Sequence, residues 1–129
     1  MTLEAHGLTV TTKGKTLIRD ISITLSPGEV LAIIGPNGAG KSTLLRTLSG
    51  DLKADTGKII VNNRPLDKWS LRDRARSRGI LSQSVALNFA FSVLQVVLVG
   101  RGPHTSGRES QRDYEIVHDS MKAAEVLHL

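Results

Sequence analysis

Cysteine is absent from this 129-residue chain. That excludes a disulfide scaffold and a thiolate metal site, and it agrees with a reducing compartment. Aromatic residues make up only 3% of the chain, with one Trp, one Tyr and two Phe, so a core must be assembled from Val, Ile, Leu and Ala. Long apolar runs are missing too. The longest candidate, Val93 to Val99, is interrupted by Gln95 and falls far short of the ~20 residues that span a bilayer. The opening "MTLEAHGLTV" lacks the basic-then-apolar pattern of a signal peptide. There is no internal repeat and no low-complexity segment. These absences together predict a soluble or peripheral protein.

What is present is enough for one small globular domain. The hydrophobic fraction is 40% and the net charge is +5, a composition suited to a folded core. The basic residues cluster in "DKWSLRDRARSRG", where Lys68, Arg72, Arg74, Arg76 and Arg78 face only Asp67 and Asp73. A solvated helix face is the plainest reading. Docking on an acidic partner or on anionic lipid headgroups is the next. Nucleic acid is not an expected partner, because Trp69 is the lone aromatic of the patch and offers no interleaved stacking platform.

Periodicity predicts a strand over residues 2 to 12 and another over Leu17 to Leu25, where Ile21, Ile23 and Leu25 recur at period two. "SPGE" at 26 to 29 reads as a turn. Val30 to Ile34 is a short continuous apolar run, the pattern of a strand covered on both faces. A helix is predicted from Lys41 to about Ser49, with Leu44, Leu45 and Leu48 inward and Gly50 as its stop. Lys58 to Asn62 predicts a strand, "NNRP" a turn, and Gly79 to Ser82 a further short strand. Ser70 with Asp73, and Ser92 with Gln95, have capping-box spacing. The second outweighs the β-branched composition of "VLQVVLVG" and predicts a helix. "GRGPHTSGRES" reads as a loop. Tyr114, Val117, Met121 and Ala124 then mark an amphipathic helix over Ser110 to Leu129.

One motif carries chemistry. Gly35-Pro36-Asn37-Gly38-Ala39-Gly40-Lys41-Ser42 satisfies G-x-x-x-x-G-K-[ST]. Its glycines let successive backbone N–H groups turn towards phosphate oxygens with no Cβ in the way. Lys41 brings a mobile cation to the β/γ-phosphates, and the Ser42 hydroxyl is a hard oxygen ligand for Mg²⁺. The helix that follows, from Lys41 through Ser42 and Thr43, aims its positive end at the phosphates. The expected ligands are therefore ATP and Mg²⁺. A purely structural Gly-rich loop would not need the apolar run before it or the Lys-Ser-Thr after it.

With those residues in view, the chain resembles the N-terminal half of an ABC-transporter ATP-binding subunit, and within that family the haem (hemin) importer branch. The segments that carry the resemblance are "LTVTTKGKTLIRDISITLSPGEVLAIIGPNGAGKSTLLRTLSGDL", "TGKIIVNNRPL" and "LSQSVALNFAFSVLQVVLVGRGPH". The resemblance implies an α/β fold of the P-loop NTPase type (ABC ATPase), with an antiparallel β portion over 2–25. A P-loop core over 29–83 and the start of a helical subdomain over 84–129 complete the expected 1–129 arrangement, truncated before the family's signature and Walker B motifs. It implies that Gln83, in "GILSQ", senses the metal and the γ-phosphate beside Ser42. It also implies ATP hydrolysis coupled to haem uptake, with a homodimer in a full-length parent. The implied partners are integral-membrane permease subunits and a substrate-binding protein, and the implied location is peripheral, on the cytoplasmic face of the inner membrane.

Two departures from the family stand out. The aromatic that usually stacks on adenine is replaced at the corresponding position by Thr12, and no Tyr, Phe or Trp occurs in the first 60 residues. No strand is expected to end in a carboxylate. "KIIVNN" ends in Asn62-Asn63, and "VVLVGR" ends in Gly100-Arg101. No catalytic residue is therefore assigned, and Glu29, Asp51 and Asp55 are the acids to suspect should hydrolysis occur. His6, His104, His118 and His128 read as ordinary surface or helix residues. The alternatives are a truncated nucleotide-binding module without hydrolysis of its own, an iron-siderophore or cobalamin importer ATPase, and a small P-loop kinase, for which no acceptor site or lid is visible.

Overall fold

The computed structural model describes residues 1–82 and 90–128. The chain forms two compact units, Met1–Ser70 and Leu71–Leu129. The boundary expected at residue 84 falls outside the described residues. No helix among the described residues is long and apolar enough to cross a membrane.

The first unit is built on an antiparallel sheet of four strands, β1 (Leu3–Thr12), β2 (Lys15–Leu25), β3 (Thr56–Val61) and β4 (Arg64–Pro65), in the order β2-β1-β3-β4. The alternation in β1 looks loose because its phase changes halfway. Ala5 is buried, and so are Leu8 and Val10, with a register shift between Ala5 and Leu8. The shift is made by Gly7 at φ 60 and, across on β2, Asp20 at φ 50. Side chains take over the interrupted ladder: the Gly7 N–H donates to Ser22 Oγ at 3.0 Å, and the Asp20 N–H donates to Thr9 Oγ1 at 3.1 Å. Such a bulge twists the long edge strand β2 and makes it a poor template for another chain.

Two-residue turns join the hairpins. Lys13 and Gly14 (φ 50 and 75) connect β1 to β2, and Asn62 and Asn63 (φ 48 and 60) connect β3 to β4. Both have the two positive φ angles that match strand twist. A single 3-10 turn, Leu66–Lys68, buries Leu66 and leads to Trp69. The indole Nε1–H donates to the Arg64 carbonyl at 3.3 Å, and the Arg64 guanidinium lies 5.5 Å from the ring centroid.

Helix α1 (Lys41–Leu48) packs on the sheet. Leu44 joins Ala5, Leu8, Val10 and Ile18 in the core, with Ile21, Ile23, Ile33, Leu48, Leu52, Ala54 and Ile59 around it. The inward face differs from the expected one. Leu45 is half-exposed, and the position is taken by Thr47, which is fully buried. Its hydroxyl donates to the Thr43 carbonyl at 2.8 Å, so a polar side chain is buried without an unmet hydrogen bond. Gly50, at φ 76, ends the helix as expected, with its N–H on the Thr47 carbonyl.

Val30 to Ile34 is a correction. It is irregular backbone, with Val30 96% and Ile34 90% exposed. An apolar run becomes a covered strand only where neighbouring strands meet its N–H and C=O groups, and the sheet of the described residues contains no strand beside it. Only Ile33 reaches the core. Gly79 to Ser82 is likewise not a strand, since no strand among the described residues pairs with it, and Leu81 is 93% exposed.

The second unit is helical: α2 (Leu71–Ser77), α3 (Val93–Val99) and α4 (Gln111–Ala123). The capping box expected at α3 is present. Ser92 Oγ accepts the Gln95 N–H at 3.3 Å, and Gln95 Oε1 accepts the Ser92 N–H at 2.9 Å. Those two local bonds decide helix over strand in a segment whose residue types favour a strand. Val117 and Met121 are buried, as the α4 periodicity predicts, but the helix stops at Ala123, with Ala124 at its C-cap and Tyr114 half-exposed.

A second capping box, Ser110 with Asp113, starts α4. Asp113 Oδ2 accepts both the Ser110 N–H at 2.9 Å and the Ser110 hydroxyl at 2.6 Å, and Arg101 donates to Oδ1 at 2.9 Å. The Ser110 bonds first, then Arg101, lower the Asp113 carboxyl from 3.8 to about 2. A depressed folded-state value means that ionised Asp113 stabilises this unit above the unfolded value, near 3.8, and that the contribution is lost as pH falls through about 2. Melting followed by helical circular dichroism from pH 5 to pH 2 should show a steeper loss for the native chain than for Asp113→Asn. Parallel profiles would show that the box does not hold the helix.

Candidate functional site

The predicted phosphate loop is an exposed turn in front of α1. Gly35 to Ala39 are open to solvent, and the Ala39 N–H closes the turn on the Pro36 carbonyl at 3.3 Å. Gly38 and Gly40 are at φ 82 and 88. A side chain at Gly38 would meet nothing within 4 Å, whereas a Cβ at Gly40 would run into the Leu17 carbonyl oxygen and lie 2.9 Å from Ile18 Cγ2. Gly40 is thus where the loop presses on β2 and where it becomes helix. It is also the N-cap of α1, so no capping side chain covers the helix start, and the first turn contains no acidic residue. An uncapped N-terminus with the helix dipole behind it favours an anion.

Lys41 supplies the cation. Its Nζ donates to the carbonyls of Gly35 and Pro36, both at 2.7 Å. The side chain therefore folds back along the loop, with the ammonium held at the cradle by loop carbonyls. A phosphate arriving there meets a positioned charge. Ser42 is exposed on the first turn of α1, and Thr43 is partly buried, its carbonyl engaged by Thr47. The structure thus brings together Gly35, Pro36, Asn37, Gly38, Ala39, Gly40, Lys41, Ser42 and Thr43. Gln83 lies outside the described residues.

The donor set fits a nucleotide phosphate and, through it, a magnesium ion. Backbone N–H groups, one ammonium and one hydroxyl suit phosphate oxygens. Among the described residues there is no group of three or more His, Cys, Asp or Glu able to hold a metal. A hard cation here would rely on Ser42, phosphate oxygens and water, the usual manner of Mg²⁺.

The three suspected acids have structural tasks. Glu29 Oε2 accepts the Ser26 N–H at 2.6 Å and closes the "SPGE" turn. Asp51 Oδ2 accepts the Ser49 hydroxyl at 2.9 Å after α1. Asp55 Oδ2 accepts the Thr11 N–H at 2.6 Å, while its own N–H donates to the Thr9 carbonyl at 2.9 Å, fixing the entry to β3. Of the histidines, His6 lies 3.2 Å from Glu4 on the same strand, and His104, His118 and His128 are exposed. Thr12 ends β1 beside the Lys13-Gly14 turn.

Part of the basic patch has a use that composition did not reveal. Within the second unit, Arg72 donates from Nε to the Pro103 carbonyl and from Nη2 to the Thr105 carbonyl, both at 2.7 Å, and Arg76 Nε donates to the Pro103 carbonyl at 2.8 Å. Their spacing of four residues, one helical turn, puts both on one face of α2 but does not name the partner.

The family described as ABC transporter matches residues 18–128. The chain is 46% identical over 127 residues to a protein of Gloeobacter violaceus named hemin import ATP-binding protein HmuV, covering 98% of this chain and 46% of that one. A Myxococcus xanthus protein of the same name is 44% identical over 130 residues, covering 100% of this chain and 48% of that one. Among solved structures, one described as an inward-facing conformation of a metal-chelate type ABC transporter superposes with a TM-score of 0.74 at 28% identity, over 99% of this chain and 46% of that chain. The chain thus spans about half the length of the curated relatives it matches.

Proposed function

This chain belongs to the ABC transporter family, and from that premise we propose that it is the nucleotide-binding part of an ATP-driven importer whose cargo is haem. The observation that carries the nucleotide reading is the cradle itself: an uncapped α1 start at Gly40, with Lys41 Nζ held at the Gly35 and Pro36 carbonyls. The relatives' printed names support haem over an iron-siderophore or cobalamin cargo. ATP would lie with its phosphates on residues 35–43, Mg²⁺ against Ser42, and Gln83 would sense the metal and the γ-phosphate as the resemblance implies.

The wider assembly follows the same reading. A parent protein would act as a homodimer on the cytoplasmic face of the inner membrane, peripheral to integral-membrane permease subunits and served by a substrate-binding protein. Residues 84–108 would form the surface that meets the permease.

By itself the polypeptide 1–129 is expected to bind Mg-ATP weakly and to hydrolyse it negligibly. Transfer to water needs a group that places the water in line with the leaving oxygen. Glu29, Asp51 and Asp55 are engaged in turns, and none of the described strands ends in a carboxylate. Phosphate release by the purified chain, with Lys41→Ala as the contamination control, measures this. Robust turnover abolished by Lys41→Ala would show that an acid of this chain serves the reaction after all.

A further inference from the structure

Two arginines converge on the turn that follows α3, and a third reaches out from it. Arg72 and Arg76, one helical turn apart on α2, reach the Pro103 and Thr105 carbonyls. From within the turn, Arg101 reaches Asp113, with Nε and Nη2 each 2.9 Å from Oδ1. The turn is closed on Arg101 itself, whose carbonyl accepts the N–H of His104 at 2.8 Å and of Thr105 at 3.2 Å. Asp113 in turn caps α4 through Ser110. The contacts form an unbroken path from α2, through residues 101–105, to the first turn of α4.

The choice of arginine has a physical reason. A guanidinium is a rigid plane with several directed donors, so Arg72 holds the Pro103 and Thr105 carbonyls from two separate nitrogens in a fixed geometry, where a lysine would offer a single nitrogen on a flexible stem. These bonds also differ from surface ion pairs. Their acceptors are neutral backbone carbonyls, and what they fix is the position of a backbone segment about 30 residues away in sequence.

We infer that Arg72 and Arg76 are positioning residues for the coupling surface: through the Pro103 and Thr105 carbonyls and then Arg101, they make α2, the 101–105 turn and the start of α4 respond as one body. The inference rests on the proposal that residues 84–108 face a permease. α2 precedes that stretch and the turn lies at its end, so a displacement delivered to this surface passes to α4 without passing through the nucleotide cradle. The two ideas fail separately. Cross-linking from Phe91 or His104 to the permease, in an assembled transporter, tests the facing surface. The relay is tested in the chain 1–129 alone.

The experiment is amide hydrogen exchange at neutral pH, together with the Nε–H resonance of Arg101. In Arg72→Ala/Arg76→Ala, exchange at His104 and Thr105 should rise about tenfold or more, as it does where a locally stable segment opens. The distinguishing result lies further on. The Asp113 amide should lose protection as well, and the Arg101 Nε–H should exchange faster, while Leu44 of α1 stays unchanged. Arg76→Lys retains one donor for Pro103 and should restore what Arg76→Ala loses at Asp113. Loosening confined to His104 and Thr105 would overturn the relay and leave the arginines as pins of the turn alone. No change at any of these sites would overturn it too. Should Leu44 also lose protection in the double variant, the Arg76→Ala and Arg76→Lys pair decides. Recovery at Asp113 supports the relay, and equal loss refutes it.

Discussion

Lys41→Ala should weaken ATP binding by about 10- to 100-fold, the scale of one lost charge-assisted hydrogen bond. Lys41 is the one cation of the 35–42 motif, and its Nζ is already drawn to the Gly35 and Pro36 carbonyls at 2.7 Å. The substitution therefore removes both the charge that meets the phosphates and a tie that keeps the loop in shape. Arg46→Ala, in the last turn of the same helix, removes equal charge from the chain and should change affinity little. Titration calorimetry of both variants separates a local cradle from general electrostatic attraction. Equal affinities for native chain and Lys41→Ala would dispose of the cradle, and equal losses for both variants would make the effect one of net charge.

Gly40→Ala should destabilise the first unit strongly. Two costs coincide there. A φ of 88 lies in the left-handed region, which costs an L-residue roughly 1–2 kcal/mol, and the new Cβ would collide with the Leu17 carbonyl oxygen and crowd Ile18, a core residue of β2. A total of about 3 kcal/mol would lower the melting temperature by more than ~10 °C in a unit this small. Gly38→Ala is the control. Its φ of 82 imposes similar backbone strain, but nothing lies within 4 Å, so it should cost about 1 kcal/mol. Thermal melts of the two variants decide the matter. Matching melting temperatures would mean that the approach of the loop to β2 is not maintained in solution.

Residue spacing made the loop and the start of α1 legible because their geometry is local. Gly35 to Ser42 needs eight consecutive residues and a helix start, and both are encoded in place. The Ser92 capping box was legible for the same reason, and it overrode the β-branched composition of α3. The Val30 to Ile34 expectation failed because a covered strand is a property of its neighbours. Val30 and Ile34 are apolar enough for a core, yet no strand among the described residues sits beside them. Thr47 was missed for a subtler reason. Its hydroxyl satisfies itself on Thr43 four residues back, so it packs as an apolar residue would, and hydrophobic periodicity does not count it. The ties from Arg72 and Arg76 to the 101–105 turn cross about 30 residues, and neither composition nor period reports a contact of that length.

Trp69 has an optical consequence. It is the lone tryptophan, held in the Met1–Ser70 unit by the Arg64 carbonyl and guanidinium, and the lone tyrosine, Tyr114, belongs to the other unit. Each unit therefore carries its own chromophore. Indole emission should shift to the red when the Arg64–Trp69 stack opens, whatever happens to α4, while the tyrosine signal follows the helical unit. Two transitions at different denaturant concentrations would mean that the halves melt independently, and a single shared midpoint would mean that they melt as one cooperative body.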